Sequence, residues 1–369
     1  MSADAPLRVL IAYPFLHHYR YGVFSSLERD PRLEVTFAAD ERGRRGIATI
    51  PTHLLRRFIP TKTTVVGRFS YQSGLARILK RGNFDAVIFL GDMWSLSLWR
   101  ASRQARRRGA LVYFWTIGWH RPEMGLLGRV RMLFYARSDE LLLYGNVGKG
   151  IGTKAGYPAA RMSVVYNSHE SAQQLESASR SDLDNLLGDR RPSVGAVVRL
   201  TAAKRLDLLL RAVALMEAPR PRVLLAGDGP ERGRLAQLAE ELGLDVTFVG
   251  AVYAAKDIEL IYEHLDATVV PSAAGLTAIQ SLHHGTPVVT DDDEYGQMPE
   301  AEAVIEGKTG SRYAAGDVKA LAEAISRRLS GHDLQAEDLR EVASRWAAGP
   351  HADAIAGRLL SRTRREERT

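Results

Sequence analysis

The chain has 369 residues, 45% apolar and 25% charged, with a formal net charge of +7 and no cysteine. That length exceeds one ordinary domain and suits two, each able to bury its own core. The composition excludes a disulfide scaffold and thiolate metal sites, and no apolar run reaches the ~20 residues of a membrane helix.

The opening MSADAP leads into a strand-like run without the basic and apolar regions of a secretory signal, so the expected location is cytoplasmic. In the first half, continuous β-branched and aliphatic runs predict strands at 7–13, 33–39, 85–90, 111–115, 140–144 and 163–166. Amphipathic stretches predict helices at 18–28, 72–81, 95–108 and 126–138. Arginines crowd the later part, with Arg100, Arg103, Arg106, Arg107 and Arg108 followed by Arg121, Arg129, Arg131 and Arg137. Trp99, Tyr113, Phe114, Trp115, Trp119, Phe134 and Tyr135 are interleaved with them. Two readings stay open: a patch for peripheral contact with an anionic membrane, at its inner face, or solvated helix faces over an aromatic core. Nucleic acid is not expected as a partner, because the charge is moderate and no known binding module is present.

Residues 169–192 are polar and Ser-rich and read as an interdomain linker between a first domain, 1–168, and a second, 193–349. In the second, strands are expected at 194–198, 222–226, 246–249, 268–270 and 287–290, with helices at 206–216, 231–242, 257–264, 276–283 and 317–329. A last helix, about 350–369, is expected to pack back on the first domain. Alternating strands and helices of this kind specify an α/β fold with parallel sheets covered on both faces. Two doubly wound domains place a ligand at the carboxyl ends of their strands.

Three segments carry chemistry. In Val198-Arg199-Leu200-Thr201-Ala202-Ala203-Lys204, two cations stand between a strand end and a helix start, an arrangement suited to a diphosphate. In Gly227-Asp228-Gly229-Pro230, the glycines suit a tight strand-to-helix turn, with or without a ligand role. In Pro271-Ser272-Ala273-Ala274-Gly275-Leu276-Thr277, small residues precede a helix whose free N–H groups and dipole favour an anion. Gln280 lies about one turn further on, within reach of a ribose.

In this order and spacing the segments resemble the donor-binding domain of the GT4 family of retaining glycosyltransferases. That family's pattern is G-R-L-x-x-x-K, G-x-G-P, then P-S-x-x-E-G-F-G with E-A and G-x-P-V. The resemblance implies the GT-B fold, two facing Rossmann-like domains with the donor in the C-terminal one and the acceptor on the N-terminal one. It implies that Arg199 and Lys204 bind the donor diphosphate, and that Ala274, Gly275, Leu276, Thr277, Gln280 and Gly227 line the donor site. The chain departs from the family at both glutamates: the loop lacks the first, and Gln280 stands at the second.

In the N-terminal half, His120 matches in position a family histidine near the donor sugar, and is the third catalytic candidate. The acceptor-side candidates are His17, His18, Arg20 and Asp92, which follow strands at the same sheet edge; a surface arginine is the other reading of Arg20. Asp291-Asp292-Asp293-Glu294 invites a metal reading, which is set aside because GT-B enzymes offset leaving-group charge with cations and a helix dipole. No metal and no cofactor are expected, only a nucleotide-sugar co-substrate. The expected function is metal-independent hexosyl or deoxyhexosyl transfer to a hydroxyl acceptor. That acceptor is a lipid-linked saccharide in cell-surface polysaccharide or glycolipid synthesis, or a soluble natural product. A catalytically silent GT-B partner is the competing reading, favoured by the missing glutamates.

Overall fold

In the computed structural model, residues 5–43, 48–168, 170, 177–331 and 334–366 are described. The chain forms two compact units, Met1–Ala172 with Ala347–Thr369, and Gln173–Trp346. No helix among the described residues is long and apolar enough to cross a membrane.

The first unit is built from β1 (Leu7–Ala12), α1 (Tyr21–Arg29), β2 (Leu33–Ala39), β3 (Phe58–Pro60), β4 (Lys62–Val66) and β5 (Phe69–Ser73). It continues with α2 (Leu75–Arg81), β6 (Ala86–Leu90), α3 (Leu96–Arg107), β7 (Leu111–Thr116) and α4 (Gly125–Tyr135). β8 (Glu140–Leu143), α5 (Asn146–Lys154) and β9 (Met162–Val164) follow. Seven of these strands form one parallel sheet in the order β3-β2-β1-β6-β7-β8-β9, while β4 and β5 pair as a separate antiparallel hairpin. The sheet is apolar on both faces, as a parallel sheet between helix layers must be. One face packs on α1 together with Ile355, Ala356 and Leu359 near the chain's end, the other on α2–α5.

The second unit begins with α6 (Leu183–Leu187), then β10 (Ser193–Val197), α7 (Leu206–Leu215), β11 (Arg222–Ala226), α8 (Arg232–Glu241) and β12 (Val246–Gly250). It continues through α9 (Ala255–Glu263), β13 (Ala267–Val269), α10 (Leu276–His283), β14 (Val288–Asp291), β15 (Gly310–Tyr313), α11 (Val318–Leu329) and α12 (Ala336–Ser344). Its sheet order is β12-β11-β10-β13-β14-β15, all parallel. The last helix, α13 (Ala348–Glu366), belongs to the first unit, where His351 and Leu359 are buried.

Three expectations change. Gln72 and Ser73, expected in a helix, sit in β5, where the buried Gln72 side chain donates to the Tyr13 carbonyl (2.9 Å) and Thr61 Oγ1 (2.8 Å). The polar stretch read as a linker contains α6, whose Leu183 and Leu187 are fully enclosed in the second unit's core; of that stretch, 169 and 171–176 lie outside the described residues. The aromatic residues among the arginines are core: Tyr113, Phe114, Trp115, Trp119, Phe134 and Tyr135 are all buried, so they form no surface patch.

Candidate functional site

In the second unit β10 ends at Val197 and the chain passes through Val198-Arg199-Leu200 to a single 3-10 turn, Ala202–Lys204. Directly behind this loop lies Gly227-Asp228-Gly229. Gly227 has a φ of 132°, and a β-carbon there would run into the Val198 carbonyl; one on Gly229 would strike the Leu200 carbonyl. The Val198 N–H donates to the Ala226 carbonyl (2.8 Å) and the Leu200 N–H to the Asp228 carbonyl (3.0 Å). The glycine turn is therefore the seat of the Arg199 loop, which explains why the two motifs occur together. Arg199 itself is exposed and makes no hydrogen bond or ion pair with a described residue.

The loop before α10 is pinned on several sides. Tyr313 Oη donates to the Pro271 carbonyl (3.0 Å), Lys204 Nζ to the Ala273 carbonyl (2.6 Å), and the Ala274 N–H to Gln297 Oε1 (2.7 Å). Gln297 is in turn fixed by Thr290 Oγ1 (2.8 Å) and Asp291 Oδ1 (2.6 Å), which accept from its Nε2. Ala273 is held in the left-handed region at φ 51°, a conformation that costs an alanine ~1–2 kcal/mol, so the Lys204 bond has a strain to offset. Thr277 Oγ1 donates to the Val197 carbonyl (3.0 Å), tying the first turn of α10 to the strand that carries Arg199. The N–H groups of Leu276 and Thr277 have no partner within the helix, as at any helix start. Burial pulls the Lys204 ammonium below the ordinary lysine value, and the Glu300 carboxylate acts against that shift.

Glu300 was not singled out among the individual site candidates read from the sequence. It sits in the 3-10 turn Pro299–Ala303, is 2% exposed, and its Oε2 lies 3.7 Å from where a Gly275 β-carbon would be. A carboxylate thus reaches the N-terminus of α10 from a different segment. In the sequence it falls within Gln297-Met298-Pro299-Glu300, a stretch that resembles a loop around the family's donor site. Gln280, by contrast, is buried, and its Oε1 accepts from Tyr262 Oη (3.3 Å). Its amide belongs to the packing of α9 against α10 and is not presented at the surface.

The acidic run serves turns. Asp291 Oδ1 accepts from the Asp293 N–H (3.2 Å), Asp292 Oδ1 from the Ala315 N–H (3.0 Å) and Asp293 Oδ1 from the Tyr295 N–H (3.1 Å). Burial raises the Asp291 carboxyl above its ordinary value.

In the first unit, Trp119 is buried against Tyr135 and Tyr157 and anchors the loop after β7, leaving its neighbour His120 exposed. Partial desolvation, then Arg131 and Arg121, lower the His120 pKa. Arg131 is held beside it by Glu123, through Nε–Oε2 (2.6 Å) and Nη2–Oε1 (2.7 Å) bonds. Asp92 Oδ1 accepts from the Trp94 N–H (3.0 Å) in the turn after β6. His17 stacks between Phe15 and Tyr19, and His18 is lowered by burial.

Arg20 is neither a surface residue nor an accessible cation. It is 4% exposed, donates through Nη2 to Tyr144 Oη (2.6 Å), and lies over Trp115 (4.7 Å), Tyr144 (5.1 Å) and Tyr13 (5.6 Å). A guanidinium tolerates this because its planar, weakly hydrated charge is attracted to aromatic faces.

Residues 191–331 match the family model described as glycosyl transferases group 1. The chain is 31% identical over 159 residues to an exopolysaccharide phosphotransferase of Streptomyces coelicolor, covering 41% of this chain and 16% of that protein. It is 30% identical over 179 residues to the GDP-mannose-dependent alpha-(1-6)-phosphatidylinositol monomannoside mannosyltransferase of Mycolicibacterium smegmatis, covering 45% of this chain and 44% of that protein. The chain therefore spans less than half the length of either relative. Among solved structures, Anabaena HepE in complex with UDP is similar with a TM-score of 0.73 at 19% identity, over 96% of this chain and 100% of that one. This is a likeness of fold. The chain has the GT-B fold, two Rossmann-like α/β units, and its residues 191–331 carry the likeness to the glycosyl transferases group 1.

Proposed function

We propose that this protein is a retaining, metal-independent glycosyltransferase of the GT4 type, moving a hexosyl or deoxyhexosyl group from a nucleotide sugar to a hydroxyl. The observation that carries the reading is the pinned loop of the second unit. There Arg199, Lys204 and the open first turn of α10 come to one sheet edge through the Thr277–Val197 and Lys204–Ala273 hydrogen bonds. A departing nucleoside diphosphate needs such charge-assisted donors. Arg199 and Lys204 offset its charge, and the Leu276 and Thr277 N–H groups hold the distal phosphate. HepE was solved with UDP, and the mycobacterial relative is named for GDP-mannose and a glycolipid acceptor, which supports a nucleotide-sugar donor. The acceptor is a saccharide on a lipid carrier, in cell-surface polysaccharide or glycolipid synthesis.

In the transfer, the bond from the anomeric carbon to the diphosphate oxygen breaks while the acceptor oxygen bonds to that carbon on the same face. The acceptor proton passes to the departing phosphate oxygen. This route needs no protein base, so His120 positions and His17, His18 and Asp92 contact the acceptor. Its lowered pKa favours the neutral imidazole of His120, which both donates and accepts hydrogen bonds. Glu300 supplies from its own turn the sugar-side carboxylate that the loop lacks.

The test is calorimetric titration with a panel of nucleoside diphosphates, on the native chain and on Arg199→Ala with Lys204→Ala. The expected result is binding of one nucleotide and a drop in affinity of at least about tenfold in the double variant. Unchanged affinity or unchanged transfer in that variant would sink the assignment. Nucleotide binding with no transfer to any acceptor would favour the silent-partner reading, which the absence of both family glutamates supports.

A further inference from the structure

Residues 61–138 hold fourteen lysines and arginines against three acidic residues, a local surplus larger than the +7 of the whole chain. The three acids are already engaged: Asp85 with Arg8 (2.7 Å), Glu123 with Arg131 (2.6 Å) and Asp92 with the Trp94 N–H (3.0 Å). None of β4, β5, α2, α3 and α4 contains an acidic residue. The three helices bury Leu79, Leu98, Ala101, Ala105 and Phe134 on the same face of the sheet, so their opposite sides form one outward surface. The hairpin joins this layer beside α3, where the Gln72 N–H donates to Ser97 Oγ (3.0 Å).

That surface is not only basic. Met124 is 91% exposed and Leu126 78%, and Leu127 and Leu133 are exposed on the same helix. Leu126, Arg129 and Leu133 follow one another at helical spacing along the outer stripe of α4, so a cation stands between two bare leucines. On the hairpin, Val66 and Phe69 are exposed beside Arg68, whose guanidinium lies over Trp94 (4.2 Å). Arg100, Arg103, Arg107, Arg108, Arg121 and Arg129 are exposed and form no ion pair among the described residues. Large aliphatic groups left in water among unpaired cations suit a partner that is apolar below an anionic surface.

We propose that the α2–α4 face of the first unit docks on an anionic phospholipid bilayer. Met124, Leu126, Leu127 and Leu133 enter the boundary between headgroups and acyl chains, and the arginines of α3 and α4 meet lipid phosphates. A nucleic acid would use the arginines and leave the leucines in water. A second copy of the chain would bring the same positive field against itself. The proposal does not depend on the transfer chemistry, so nucleotide affinity and membrane binding can fail separately.

The experiment is co-sedimentation of the full chain with vesicles of phosphatidylcholine alone and of phosphatidylcholine with phosphatidylglycerol, at low and physiological salt. Binding is expected only where phosphatidylglycerol is present. Leu126→Ser with Leu133→Ser, and separately Arg100→Glu with Arg103→Glu, should each weaken it about tenfold or more. Both variants should keep the native circular dichroism and nucleotide affinity, since none of the four residues is buried or lies in the donor loop. Equal partitioning to both vesicle types, no binding by the native chain, or native-like binding by the leucine variant would overturn the proposal. So would tighter binding to a duplex oligonucleotide that the leucine variant retains, or concentration-dependent dimerisation that it abolishes.

Discussion

Arg199 in the second unit and Arg20 in the first both follow a strand at the carboxyl edge of a parallel sheet, yet they meet opposite surroundings. Around Arg199 the neighbouring polar groups are committed to backbone partners, so the loop is rigid while its cation is exposed and unpaired. Around Arg20 the side chains of Tyr13, Tyr19, Trp115 and Tyr144 close in, and the cation is removed from water. Shared topology places a charge at a sheet edge; the residues on adjoining strands decide whether it can meet a ligand. The second edge carries small residues at 272–275, whereas aromatic residues at 13, 115 and 144 fill the first.

The largest expected effect separates the two arginines. Arg20→Ala removes packing from four rings and the Nη2–Tyr144 Oη hydrogen bond, so it should cost about 3 kcal/mol of the first unit's stability. Lysine should rescue little, because an ammonium lacks the planar fork that stacks on the rings. Arg199→Ala should leave the unfolding midpoint unchanged to within about 0.5 kcal/mol, as an exposed unpaired side chain does, while weakening nucleotide binding. Denaturant unfolding beside calorimetry reads both. If Arg20→Ala unfolds like the native chain, the aromatic cage contributes no stability and the contrast fails.

These contrasting fates were only partly legible in the sequence. The parallel sheets, the strand-end motifs and the loop before α10 follow from local patterns, since β-branched runs, glycine turns and cap positions report on their own neighbourhoods. The Arg20 cage is closed by Trp115 and by Tyr144, the latter 124 positions away, and no local pattern announces it. The β4–β5 hairpin was missed although alternating runs flank Gly67-Arg68, because Gln72 begins a stretch that also suits a helix. α5 was missed because Gly148, Gly150 and Gly152 lower its helix propensity. Gly152 is there because a β-carbon would collide with the Trp119 ring. Glu300 reaches the donor loop from a turn twenty-five residues beyond Gly275, where spacing has no meaning.

A mid-sized effect tests the first unit's edge through pH. His351 is fully buried, with its ring against Trp115 (5.0 Å) and Nδ1 near Ser168 Oγ (3.0 Å), while Nε2 has no hydrogen-bond partner among the described residues. Burial, and then the Arg20 charge, lower its pKa well below the ordinary histidine value. The unfolded chain therefore binds a proton below about pH 6.5 that the native state refuses. Stability should fall as pH drops through that point, by up to about 1.4 kcal/mol per pH unit, and be unaffected above it. His18, His120 and His284 are lowered as well, so the readout is the difference in slope between the native chain and His351→Gln. Parallel slopes would mean that His351 takes up its proton without loss.

The smallest effect sharpens the second unit's edge. Thr277→Val keeps the side-chain shape and removes the hydroxyl that bonds the Val197 carbonyl, so it should cost about 1 kcal/mol of stability. Its consequence for binding depends on what the hydroxyl does. If it only ties α10 to β10, nucleotide affinity should fall slightly or not at all, and transfer should fall with stability. If it holds the first turn of α10 in register with Arg199, affinity should drop several-fold while the unfolding change stays near 1 kcal/mol. We expect the second outcome. The Lys204 and Gln297 bonds fix the loop ahead of the helix, and Thr277 is the link between the helix start itself and the strand carrying the cation. The Thr277→Ser variant restores the hydroxyl without the methyl group and should recover the native affinity; failure to do so would assign the effect to packing.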